Sequence, residues 1–134
     1  MGSGGAAAAS GAARRGVGKV MLEVLKAKEL PSMQAFGAQD PYVIATLIPA
    51  EISSVRTHTV ESGGVEPAWN GQYALLGDPD ATALRLQIFN ENMAVDDVIG
   101  VVDLPLSDPT FGLGRKTWYP LPQGGRIQVR VRCK

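Results

Sequence analysis

The residues best suited to chemistry lie in two segments, LPSMQAFGAQDPYV (Leu30 to Val43) and IFNENMAVDDVIG (Ile88 to Gly100). Each sets oxygen-bearing side chains beside apolar residues that read as exposed, with Gly37 or Gly100 to permit tight backbone. Hard cations such as calcium take about six to eight oxygens, and loops carrying several Asp, Asn or Glu at close spacing can supply them. The candidates are Asp40, Asn90, Asn92, Asp96 and Asp97, with Glu66 and Glu91 nearby. Asp and Asn are also the residues that turns prefer, so spacing alone leaves both readings open.

Other chemistry finds little support. His58 is the only imidazole, and in the alternating run VRTHTV it reads as a solvent-facing strand residue with no nucleophile to serve. The single cysteine, Cys133, is expected on the buried face of the final strand, and one Cys with one His cannot build the usual zinc site. Gly63-Gly64 and Gly124-Gly125 lack the Lys-Ser/Thr partner of a phosphate loop and read as turns, as does Asp78-Pro79-Asp80. No catalytic residue can be named, and an enzyme is not expected. Thirteen Lys and Arg balance thirteen Asp and Glu, which gives no net field toward nucleic acid. No run approaches the roughly eighteen apolar residues of a membrane span, and the lone cysteine fits a reducing compartment, so a cytoplasmic protein is expected.

The elements that would position the two segments are strands. Residues 1–16 are almost only Gly, Ala and Ser with Arg14 and Arg15, a composition expected to form a disordered tail; the domain is expected over 17–134. Without the tail, eleven Lys and Arg face thirteen Asp and Glu. From Lys19 onward, short runs rich in Val, Ile, Leu and Tyr alternate with Gly, Pro, Asp and Asn clusters, and no long 3.6-residue periodicity appears. Eight strands are predicted: Lys19 to Ala27, Tyr42 to Ile48, Ser53 to Glu61, Gly71 to Leu76, Ala83 to Asn90, Val98 to Leu104, Lys116 to Tyr119 and Arg126 to Cys133. The fold class is therefore all-β, an eight-stranded antiparallel β-sandwich. In the last strand Ile127, Val129, Val131 and Cys133 alternate with Gln128, Arg130, Arg132 and Lys134, and the cationic row reads as a solvated sheet face. The nine prolines all fall outside strand centres, where a missing N–H costs least.

Taken in order, these segments resemble the C2 domain family over roughly Gly18 to Lys134. KVMLEVLKAKELP is similar to the family's first strand and loop entry, and QDPYVIATL to its DPYV motif, with Asp40 as the acidic residue. EPAWNGQY resembles N-P-x-W-N-E-x-F, with Glu66 in place of Asn and Gly71 in place of Glu. LRLQIFNEN, DDVIG and WYPL follow in the family's order. The resemblance implies a sandwich whose three loops at one end bind calcium, phospholipid or both, here about Met33 to Asp40, Ser62 to Pro67 and Asn90 to Asp97. It also implies the circularly permuted, type II-like strand order. Carried over position by position, the family's five acidic calcium ligands become Gln34, Asp40, Asn90, Asn92 and Asp97, of which two are acidic, and the spacing leaves Asp96 as an alternative to Asp97. Each lost charge weakens the site, so calcium is expected to be weak, about 10⁻⁴ to 10⁻³ M at best, or absent.

The implied loop tips carry Met33, Ala35 and Phe36, then Val65, then Met93, Ala94 and Val95. Burial of Phe36, Met93 or Val95 in lipid would contribute about 1.5 to 3 kcal/mol each, enough for reversible docking once ordering costs are met. Membrane contact is therefore expected at Met33, Phe36, Val65, Met93 and Val95. The competing reading folds Phe36 and Met93 back as a plug. The strand after DPYV offers only Arg56 and His58 where many C2 domains are lysine-rich, so a phosphoinositide site is not expected there. The expected partner is an anionic phospholipid surface, which makes the protein peripheral at membranes. The alternative is a calcium-independent protein-interaction module of the same fold, with a protein partner.

Overall fold

A computed structural model describes residues 18–133. The tail expected over 1–16 and the outward position expected for Lys134 lie outside the described residues. Eight strands follow in chain order: β1 (Lys19–Lys28), β2 (Pro41–Ile48), β3 (Ser54–Arg56), β4 (Ala68–Leu76), β5 (Ala83–Asn90), β6 (Asp97–Pro105), β7 (Thr117–Pro120) and β8 (Arg126–Cys133). They form two four-stranded antiparallel sheets, ordered β4-β1-β8-β7 and β3-β2-β5-β6. The first strand lies beside the last in the middle of its sheet, in the permuted order that the resemblance implies.

Alternation explains the faces. Val20, Leu22 and Val24 of β1, Leu84, Leu86 and Ile88 of β5, and Ile127, Val129 and Val131 of β8 all enter the core between the sheets. β1 changes phase once, where a bulge at Leu25 moves its register between Val24 and Lys26, so that Ala27 points in while Lys26 and Lys28 point out. Trp69 is buried from β4 and its indole N–H donates to the Pro41 carbonyl at 3.1 Å, tying one sheet to the start of β2. Gly71 leaves room for the Tyr73 ring: a Cβ there would lie 2.2 Å from the Tyr73 hydroxyl, and the ring would have to shift.

The structure corrects three expectations. β4 begins at Ala68, not Gly71, because Ala68 still pairs with Lys26 beyond the bulge. β3 ends at Arg56, five residues short of Glu61. Thr57 ends it: its backbone N–H donates to the Val43 carbonyl at 2.8 Å while its hydroxyl accepts the Val43 N–H at 2.9 Å, a side chain replacing one rung of the ladder. His58 is exposed as expected but sits beyond the strand. Cys133 keeps the inward parity of β8 yet is exposed, at the last residue of the strand and the end of its ladder with β1.

Candidate functional site

Three loops meet at one end. Loop one runs from β1 to β2, loop two from β3 to β4, and loop three from β5 to β6. A residue that sequence reasoning missed holds the first two together: Gln39, 1% exposed. Its carboxamide oxygen accepts the Met33 N–H at 2.9 Å, and its amide nitrogen donates to the carbonyls of Pro31 at 2.9 Å and Gly64 at 3.0 Å. Asp40 caps loop two, its Oδ1 accepting the Ser62 N–H at 2.7 Å. The Asp40 carbonyl accepts the Glu91 N–H at 2.9 Å, which fastens loop three to loop one.

The structure brings Gln34, Asn90, Asn92 and Asp97 into one cluster around the Asn90 carboxamide, which is fully buried. Asn90 Oδ1 accepts the Asp40 N–H at 2.8 Å, and a backbone N–H can only donate, so this bond fixes which way the amide points. Its nitrogen therefore aims at three oxygens: Gln34 Oε1 at 3.2 Å, Asn92 Oδ1 at 3.3 Å and Asp97 Oδ2 at 3.4 Å. Asn92 adds a second donor to the same Asp97 oxygen at 2.8 Å. The oxygens of this cluster are thus already engaged by amide donors.

The remaining carboxylates turn elsewhere. Asp96 accepts the Tyr42 hydroxyl at one oxygen and the Asn92 N–H at the other, the latter at 2.8 Å. Tyr42 is buried, stacks on Phe89 with ring centroids 5.3 Å apart, and lies under the Arg56 guanidinium, 3.7 Å from its ring centroid. Burial first, then Asp96, push the Tyr42 hydroxyl up to about 12. The Tyr42 hydrogen bond, helped by the Asn92 N–H, holds the Asp96 carboxyl below its ordinary range. Because the folded value is the depressed one, this anchor is intact above the ordinary carboxylate value and is lost as pH falls below it, through the depressed one. The protection factor of the Asn92 amide, measured against the intrinsic exchange rate, is expected to fall in acid, and Asp96→Ala should lower it at every pH; equal protection in both proteins at neutral pH would sink this role for Asp96.

Among the described residues, no three of His, Cys, Asp or Glu stand close enough together to hold a metal ion. The calcium implied by the resemblance fits this donor set poorly, since Asp97 is the one carboxylate facing the cluster and two amide groups already donate to it. The apolar tips point the other way. Phe36 is 90% exposed, Met93 106% and Val95 78%, with Met33 and Val65 each at 39%, so Phe36 and Met93 stand in solvent and do not plug the sandwich. Among the described residues, no helix is long and apolar enough to cross a membrane.

A family model described as "C2 domain" matches residues 18–121. The chain belongs to the C2 domain family. This C2 domain is similar to the Arabidopsis thaliana "Calcium-dependent lipid-binding protein", 28% identical over 100 residues that make up 74% of this chain and 19% of the relative. It is likewise 28% identical to Arabidopsis thaliana Synaptotagmin-4 over 114 residues, 84% of this chain and 20% of that protein. The chain thus spans about one fifth of the length of these relatives. Its fold superposes on a C2 domain of plant Extended Synaptotagmin 1 with a TM-score of 0.74 at 21% identity, covering 87% of this chain and 93% of that domain.

Proposed function

We propose that this C2 domain is a non-enzymatic membrane-docking module, cytoplasmic and peripheral, whose apolar tips Phe36, Met93 and Val95 enter phospholipid and whose calcium site is vestigial. The observation that carries this reading is the exposure of three large apolar side chains on two loops fastened together at one end of a sandwich. Water-facing tips have no folding reason to be Phe and Met, whereas a lipid interior rewards both. The relative named for lipid binding supports the same reading. The buried Asn90 amide supports calcium independence: a neutral group that donates toward Gln34, Asn92 and Asp97 stands where the resemblance implies a carboxylate.

The test is co-sedimentation with phospholipid vesicles in millimolar calcium and in chelator. Binding is expected in both, differing by less than about twofold, since a ligand that does not bind cannot shift the equilibrium. Binding in calcium alone would overturn the vestigial site, and no binding in either would overturn docking.

A further inference from the structure

The outer face of the β4-β1-β8-β7 sheet carries a charge that the neutral composition conceals. Its outward positions include Lys19, Lys26 and Lys28 of β1 and Arg126, Arg130 and Arg132 of β8, six cations against one carboxylate, Glu23. Acidic side chains gather elsewhere, at the loop end, where the three loops and the start of β6 carry Asp40, Glu61, Glu66, Glu91, Asp96 and Asp97. Glu23 pairs with Arg130 at 3.5 Å. Lys26, Lys28, Arg126 and Arg132 have no carboxylate partner among the described residues.

Three of these cations converge on one ring. Lys26 Nζ lies 6.0 Å, Lys28 Nζ 5.7 Å and the Arg126 guanidinium 4.9 Å from the centroid of Trp118. Lys28 and Arg126 stand directly opposite each other across the β1–β8 pair, where like charges repel. The half-buried indole offsets part of that repulsion; an anion would remove it. Further along the face, Arg130 and Arg132 line a groove of about 250 Å³ with Met21, Glu23 and Gln72, and the Nε of Arg130 is buried there without a hydrogen-bond partner. The Trp118 cluster thus lacks a carboxylate among the described residues, and the Arg130 groove holds an unmatched donor.

We propose that this face, on the sheet opposite β3, is a second membrane-docking surface that lies against anionic phospholipid headgroups, with Trp118 at the lipid–water boundary. The proposal rests on the docking reading above and sets the orientation of the docked domain. Head-on approach to an anionic surface would press the acidic loop end against it. A tilted pose avoids this, because the Trp118 cluster adjoins loop one: Lys28 leads into it, and Gly124, just before Arg126, packs near Pro31. The tips and the cations can then meet one plane together.

The experiment compares partition of the full chain onto phosphatidylcholine vesicles with and without phosphatidylserine, in chelator. Each Lys or Arg near an anionic surface is worth about fivefold in partition, so the combined change Lys26→Gln, Lys28→Gln and Arg126→Gln should cost about a hundredfold on phosphatidylserine-containing vesicles. On pure phosphatidylcholine it should cost nothing. A headgroup spin-labelled lipid should quench Trp118, while Trp69, 3% exposed, serves as the internal reference that stays bright. Unchanged binding of the triple variant, or an unquenched Trp118 on vesicles that do bind, would overturn this face while leaving tip docking intact. Failure of the wild-type chain to bind either vesicle would overturn both, and an acidic protein would become the occupant to seek.

Discussion

Asn90→Asp is expected to make the stability of this domain depend on calcium. The substitution is nearly isosteric and keeps the oxygen that accepts the Asp40 N–H. It replaces the amide nitrogen with a second oxygen, fully buried, facing Gln34 Oε1, Asn92 Oδ1 and Asp97 Oδ2 at the 3.2 to 3.4 Å now spanned by hydrogen bonds. An unpaired buried charge of this kind costs about 3 kcal/mol, which for a domain of this size lowers Tm by about 10 °C. Burial beside Asp97 raises the pKa of the new carboxyl, so the cost is full at neutral pH and shrinks as pH falls toward the ordinary carboxylate value. Calcium supplies the missing positive charge: at about tenfold excess over its dissociation constant it restores about 1.4 kcal/mol, close to half the loss. The wild-type chain should melt at the same temperature in calcium and chelator. A calorimetric scan in which calcium raises the wild-type Tm as much as the variant's would show that the Asn90 amide does not prevent calcium binding.

The parts of this domain that follow from short-range pattern could be read directly from the chain. β1, β5 and β8 were legible because buried apolar residues alternate along them, from Val20 to Val24 in β1, from Leu84 to Ile88 in β5 and from Ile127 to Val131 in β8. β3 was overextended because alternation in VRTHTV continues past Arg56, whereas the interruption depends on a Thr57 hydroxyl reaching the backbone of another strand. Cys133 has the right parity, but parity does not say where the ladder stops. The site divides in the same way. Oxygen-bearing residues and tips were visible as residue types, so Gln34, Asp40, Asn90, Asn92 and Asp97 could be named and the structure gathers four of them around one amide. The direction of that amide was not legible, because it is set by one backbone N–H fifty residues away at Asp40. Asp96 looked like an alternative ligand for want of any sign that Tyr42, in another strand, would claim it. Gln39 was not singled out, because its use of both carboxamide ends is a property of two loops at once. The cationic row of β8 read as solvated, and one strand considered alone supports nothing more; its meaning changes when β1 and β7 add Lys26, Lys28 and Trp118.

Removing the tips should remove docking to uncharged lipid altogether. On phosphatidylcholine the cationic face has nothing to attract it, so any binding must come from apolar insertion, and Phe36 and Met93 are its two most exposed contributors. At about 2 kcal/mol each, within the range for full burial of such side chains, Phe36→Ala with Met93→Ala costs about a thousandfold in partition. A complex no stronger than about millimolar would then fall below detection. The fold should not notice, since side chains at 90% and 106% exposure contribute no packing, and Tm should stay within about 1 °C. Ile52→Ala is the matched control: Ile52 is 79% exposed, but it lies between β2 and β3, at the opposite end from the three loops. It should bind as the wild-type chain does. If Ile52→Ala loses as much binding as the double substitution, adhesion is a property of exposed apolar surface in general, and the loop end has no special role. If the double variant keeps its grip on phosphatidylcholine, the lipid contact lies elsewhere. On phosphatidylserine-containing vesicles the same variant should retain a remnant of binding, and that remnant should disappear in high salt, because screening acts on the lysines and arginines of the sheet face and not on an inserted phenyl ring.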